Sequence, residues 1–200
     1  FRRQLYKEMR DPFTFLQVSH FEERKGYAYT LEAFKLLVEA LPAKRVKLIL
    51  AGGGPDLEKM KALAESYGLG EKVSFPGWVS PREVRDLLEV ADAYVLHSIT
   101  VDGWTEGIPN ALMEAMAMEL PLVSTRHAGI PELVEEGIHG ILTDERDVEA
   151  YVEGMKAVID WGYKAENREQ VENKFEYTKH MQHLKDYYQR ILQKETVVKI

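Results

Sequence analysis

Glu106-Gly107-Ile108-Pro109-Asn110-Ala111-Leu112-Met113-Glu114-Ala115-Met116-Ala117 lies between two short apolar runs, Ala93-Tyr94-Val95-Leu96 and Leu122-Val123-Ser124-Thr125. The runs have the length of buried strands. The segment between them has strong helix formers from Asn110 to Met118, and Pro109 suits the first turn because its missing N–H is not needed there. The free N–H groups near Gly107 to Asn110, together with the helix dipole, form an anion site that needs no metal. Glu106 stands just ahead of that end and Glu114 about two turns behind it, roughly 12 Å away along the axis. In that order Glu106 suits the hydroxyls of a sugar, the helix end a diphosphate and Glu114 the hydroxyls of a ribose. The same two acids also suit a blander reading, a dipole-favoured acid at the helix start and a solvated helix residue. Spacing alone leaves both open, and the setting at the carboxyl end of a strand favours the first.

Strand and helix alternate on both sides of this segment. Phe13 to Val18 reads as a strand, and a helix is expected from Tyr27 to Leu41, stopped by Pro42. A buried strand follows at Val46–Ala51, then a tight turn, Gly52-Gly53-Gly54-Pro55, and a helix from Asp56 to about Tyr67. Val73-Ser74-Phe75 is the third strand. Ser80 and Glu83 form a capping box for a helix ending near Ala91, and Gly140-Ile141-Leu142 is a short sixth strand. The pattern predicts an α/β, Rossmann-like parallel sheet of about six strands, with helices on both faces and right-handed crossovers. From Val148 onward the signal is helical only, and Met181, Leu184, Tyr188 and Ile191 mark an outlying C-terminal helix. We expect a polar linker remnant at 1–12, a nucleotide-sugar-binding domain at 13–165 and a helical extension at 166–200, within a chain cut from a longer parent.

The 200 residues are 45% hydrophobic, enough for one good core. A net charge of −7 argues against nucleic acid, which requires a basic face. With no cysteine, thiol catalysis, disulfides and cysteine metal sites are excluded, and a reducing, cytoplasmic setting is expected. No apolar run approaches the roughly 20 residues that span a bilayer. Membrane association at the inner face is therefore expected only as a peripheral contact through sequence outside this chain.

The glutamate-flanked segment, with its neighbours, resembles the donor-binding, C-terminal half of the group 1 retaining glycosyltransferases, which have the two-domain GT-B fold. The likeness extends from about Phe13 to Leu192. It is supported by Lys25-Gly26 after the first strand, Ala51-Gly52-Gly53-Gly54-Pro55 after the second, Phe75-Pro76-Gly77-Trp78-Val79 after the third and Ala128-Gly129-Ile130-Pro131-Glu132 after the fifth. The stretch from Ser98 through Arg126-His127-Ala128-Gly129 is most similar to enzymes that build colanic acid and related exopolysaccharides.

The resemblance implies that Glu106 contacts the donor hexose, Glu114 the ribose and Lys25 the diphosphate, with Glu106 and Lys25 carrying catalysis. It places the backbone of Gly107, Ile108 and Pro109 against sugar and phosphate, and Trp78 and Val79 at the nucleobase. It also implies a nucleotide-diphosphate sugar as donor substrate, no further cofactor, no metal, and an N-terminal acceptor-binding domain as partner. Two positions depart from the family pattern. His20 stands where arginine is usual, five residues before Lys25, and offers one donor in place of five with permanent charge. His97 stands where proline is usual before Ser98.

Other features have competing readings. Lys25 also suits a solvated loop, and His20 a solvent-facing strand end. The glycines at 52–54 fit a tight turn better than a dinucleotide fingerprint, because Leu57 replaces the third glycine. Trp78 either stacks on a base or caps the core. Ser124, His127 and Asp144 lack the Gly-x-Ser-x-Gly elbow of a hydrolase. His180 and His183 lack a third metal ligand, and no Asp-x-Asp pair is present. The expected reaction is transfer of a hexose, with retention, to a carbohydrate or lipid-linked acceptor. A nucleotide-sugar epimerase and a non-catalytic nucleotide-sugar-binding module are the alternatives.

Overall fold

The computed structural model describes residues 11–105, 107–175 and 177–197. Short apolar runs form β1 (Phe13–Val18), β2 (Val46–Ala51), β3 (Val73–Gly77), β4 (Ala93–Leu96), β5 (Leu122–Thr125) and β6 (Gly140–Thr143). Between and after them lie α1 (Tyr27–Ala40), α2 (Leu57–Ser66), α3 (Pro81–Val90), α4 (Asn110–Ala117), α5 (Ile130–Leu133), α6 (Val148–Val158), α7 (Ala165–Lys174) and α8 (Tyr177–Val197). The strands form one six-stranded sheet in the order β3-β2-β1-β4-β5-β6, with every pairing parallel.

Parallel strands joined by helices must bury both faces, so neighbouring side chains of one strand enter different cores. In β1, Phe15 points to a core shared with Phe34, Leu37, Leu48 and Tyr151, and the next residue, Leu16, points to a core shared with Tyr94, Leu112, Met116 and Leu122. Helices α1, α2 and α6 cover the first face, and α3, α4 and α7 the second. Full burial of each such large side chain contributes about 1.5–3 kcal/mol. The capping box at α3 forms as expected: Ser80 Oγ accepts the Glu83 N–H at 3.3 Å, and the Glu83 carboxylate accepts the Ser80 N–H at 2.7 Å.

Helix α7 is fastened to the sheet by Asn167, which is fully buried and donates to the carbonyls of Leu120 and His139 at 2.7 and 3.0 Å. Helix α8 presents Tyr177, Met181, Leu184, Tyr188 and Ile191 to solvent. Among the described residues no helix is long and apolar enough to cross a membrane. Residues 1–10, most of the expected linker, lie outside the described part.

Candidate functional site

The strand order reverses between β1 and β4, and at such a switch point the connections leave in opposite directions and open a crevice beyond the carboxyl ends of the strands. A cleft of about 540 Å³ lies there, lined by Val18, Ser19, His20, Glu22 and Lys25 from the β1 side and by Leu96, Ile108, Pro109, Asn110 and Ala111 from the β4 side. Lys25 is held in place by its backbone. Its carbonyl accepts from Gln17 Nε2 at 2.9 Å, and the carbonyl of the preceding Arg24 accepts the Ile99 N–H at 2.9 Å. Gly26 follows with φ +61°, and a Cβ there would lie 1.8 Å from the His97 carbonyl oxygen. Only glycine permits the two strand ends to approach this closely.

Helix α4 opens at Asn110, one residue later than the sequence suggests. Pro109 is the N-cap, with φ −65° and ψ 124°, and among the described residues no side chain caps the helix. Proline's fixed φ serves either position, and here the extended ψ decides. The Leu112 N–H bonds back to the Pro109 carbonyl at 3.0 Å, while Asn110 and Ala111, the first two helical residues, line the cleft. The amino end of α4 is thus open to the cleft. Ile108 rests on Gly129, where a Cβ would come within 2.8 Å of its Cγ1, so the loop after β5 supports this end.

Glu114 stands one turn farther along α4, outside the lining of the cleft and half-buried. Burial raises its pKa, and its charge acts on the buried Tyr94 hydroxyl. That hydroxyl accepts the Val18 N–H at 3.0 Å and donates to the Val18 carbonyl at 2.9 Å. Glu106 lies outside the described residues.

Trp78 does not cap the core. It is 77% exposed, and its indole lies over Gly53, where a Cβ would come within 2.0 Å of Nε1. Its ring centroid is 6.0 Å from that of His20, so an open aromatic face adjoins the β1 side of the cleft, and half-buried Val79 follows it. His20 Nδ1 is 3.8 Å from Glu22, an ion pair only when the imidazole is protonated, and Glu22 also holds Arg24 at 3.0 Å. The glycine run forms the tight strand-to-helix turn: Gly52 and Gly54 have φ +135° and +151° and press against Ser19 and Phe21.

Ser124, His127 and Asp144 have separate partners. The Ser124 hydroxyl donates to the Leu96 carbonyl at 2.8 Å, His127 Nδ1 lies 2.7 Å from Glu145, and Asp144 accepts from Arg126 at 3.3 Å. Among the described residues no three His, Asp or Glu side chains are grouped to hold a metal.

Sequence reasoning missed a network between the loops after β4 and β6. The Glu145 carboxylate accepts both the N–H and the hydroxyl of Thr100, at 2.7 and 2.9 Å, and also pairs with Arg146 at 3.2 Å. Burial would raise its pKa, but the Thr100 and His127 hydrogen bonds prevail and hold it low. Arg146 Nη2 donates to the Thr100 carbonyl at 2.6 Å, and its backbone, at φ +67°, sends its N–H to His97 Nε2 at 2.9 Å. His97 is fully buried, stacked on Tyr29 and edge-on to Tyr151. That explains the residue in place of proline: its ring joins α1, α6 and the loop after β6. The signal for this network was Glu145-Arg146 after a strand end, which only the fold brings to Thr100.

The model of the family described as glycosyl transferases group 1 matches residues 2–193. The chain is 41% identical over 147 residues to the putative colanic acid biosynthesis glycosyltransferase WcaL of Escherichia coli strain K12, covering 73% of this chain and 36% of that protein. It is 37% identical over 152 residues to the amylovoran biosynthesis glycosyltransferase AmsK of Erwinia amylovora, covering 75% of this chain and 37% of that one. It therefore spans little more than a third of these relatives. Among solved structures, the pneumococcal O-GlcNAc transferase GtfA in complex with UDP and GlcNAc superposes with a TM-score of 0.74 at 17% identity, over 92% of this chain and 36% of that one.

Proposed function

The chain belongs to the group 1 glycosyltransferases, and from that membership we propose that it is the nucleotide-diphosphate sugar-binding half of a retaining hexosyltransferase. The acceptor is a carbohydrate or a lipid-linked saccharide, as in exopolysaccharide assembly, and the work is done in the cytoplasm at the inner face of the membrane. The observation that carries this reading is the uncapped amino end of α4 opening on the switch-point cleft opposite Lys25 and His20.

In this reading the diphosphate lies across the first amides of α4, where the helix dipole and Lys25 oppose its charge. Trp78 and Val79 border the base. Glu114 receives the ribose hydroxyls, and Glu106 receives the hexose hydroxyls. When the bond between sugar and phosphate breaks, negative charge grows on the departing diphosphate, and the α4 amides and Lys25 stabilise it. The protein contributes orientation and electrostatic stabilisation of an oxocarbenium-like state, with no metal and no covalent nucleophile from this half. An N-terminal domain supplies the acceptor side, so this half binds donor and does not by itself transfer sugar.

Calorimetric titration with free uridine, guanosine and adenosine diphosphates and with their hexose derivatives tests the proposal. Saturable binding of one nucleotide series is expected, weakened by Lys25→Ala. Absence of binding by all three series overturns it.

A further inference from the structure

We propose that Glu145 and Arg146, supported by His127, are positioning residues that pin Thr100 and so set selectivity for the sugar end of the donor. This inference rests on the donor-binding reading above and deepens it. Thr100 has three hydrogen-bonding groups, and all three are taken by two consecutive residues of the loop after β6. Glu145 accepts the N–H at 2.7 Å and the hydroxyl at 2.9 Å, and Arg146 donates to the carbonyl at 2.6 Å. Charge-assisted bonds of this length are the strong kind. The carboxylate is itself held by His127, which is 1% exposed and bonded at 2.7 Å, so the clamp is anchored in the core.

What the clamp holds is the start of the only segment joining β4 to α4. Beyond Thr100 the chain turns tightly at Asp102 and Gly103, with φ +50° and +76°, and a bridge between Val101 and Trp104 closes the turn. Six residues after Thr100 the chain reaches Glu106, and then Ile108 and the amino end of α4. The far end of the segment is fixed by Ile108 on Gly129. His127 and Gly129 belong to one short loop, so the same loop steadies both ends of the segment. The diphosphate meets only the far end, on α4, whereas the hexose meets the segment itself. Loosening Thr100 therefore affects recognition of the sugar before that of the nucleotide.

Three variants and two readouts test this on the 200-residue chain. Glu145→Ala removes the carboxylate. Arg146→Gly removes the guanidinium, keeps the N–H that bonds His97, and relieves a left-handed backbone strained for any residue but glycine, so it folds even where Glu145→Ala does not. Hydrogen–deuterium exchange of amides 100–108, measured without ligand, is expected to accelerate in both. Calorimetry with the uridine, guanosine and adenosine diphosphates and their hexose derivatives is expected to show affinity for the nucleotide sugar falling about tenfold, with the free nucleotide within about twofold. Thr100→Ser, which keeps every bond, retains parental behaviour. Unchanged exchange in folded variants overturns the clamp, and an equal loss for nucleotide and nucleotide sugar overturns its selectivity. A parent that binds no nucleotide overturns the donor-binding reading instead, and is told apart because exchange is read without ligand.

Discussion

His97 Nε2 accepts the backbone N–H of Arg146 at 2.9 Å, across 49 residues of chain. An acceptor nitrogen must be unprotonated, so the ring is neutral with its hydrogen on Nδ1. Burial pushes its pKa down to about 4 from 6.5.

A depressed histidine pKa fixes the sign of a pH effect. Between about pH 6.5 and 4 the unfolded chain takes up a proton that the folded chain refuses, so stability is full above that window and is lost as pH falls through it, by about 3 kcal/mol for this residue. Urea midpoints measured from pH 7 to pH 4 are expected to fall in the parent and to fall less in His97→Phe, which keeps the stacking on Tyr29. Parallel slopes in the two proteins contradict this assignment.

Gly26 and Gly68 have nearly the same φ, +61° and +67°, in very different surroundings: a Cβ on Gly26 meets the His97 carbonyl at 1.8 Å, and one on Gly68 meets nothing within 4 Å. Gly68→Ala is expected to cost about 1–2 kcal/mol from backbone strain alone. Gly26→Ala adds overpacking of about 3 kcal/mol or more and displaces Lys25. Thermal melts of the pair provide the comparison, and equal losses contradict it.

Trp78→Ala removes a side chain that is mostly in solvent, so the melting temperature is expected to hold while nucleotide affinity drops about fivefold, the order of base–aromatic stacking. Loss of stability with unchanged affinity would return Trp78 to a structural role.

Glu114→Ala is expected to weaken every nucleotide about tenfold by removing a ribose acceptor, whereas Glu106→Ala weakens chiefly those that carry a sugar. Unaltered affinity for free nucleotide after the Glu114 change removes it from the ribose site.

His20→Arg supplies a permanent charge and a fork of donors beside the cleft, and affinity for the diphosphate is expected to rise about tenfold. No rise would mean that Lys25 and the α4 amides hold the diphosphate without help from this position.

Several strands were legible to the residue, β1 at Phe13–Val18 and β4 at Ala93–Leu96 among them, because a strand buried on both faces leaves a short, mostly apolar run bounded by polar or turn residues. The start of α4 was misplaced by one residue because proline suits both N-cap and first turn, and only ψ separates them. The cleft was legible through Lys25, His20 and the segment ending at Pro109, each on the connection that follows β1 or β4. The clamp on Thr100 was not. Glu145 and Arg146 look like any charged pair after a strand, and their partners are 45 and 46 residues away, a distance over which neither period nor spacing carries information. Trp78 was ambiguous for a similar reason, since the choice between core and solvent depends on Gly53, which lies on another loop.

Strand β6 is one margin of the sheet, paired along its length to β5 and otherwise bridged only from Gly140 to Glu136 among the described residues. The grip on Thr100 issues from its trailing end, so fraying of that margin would relax the sugar-side loop while the central strands and the α4 amides stayed in place. Mild denaturation would then abolish discrimination among sugars ahead of nucleotide capture, giving a two-step loss from a molecule with one continuous sheet.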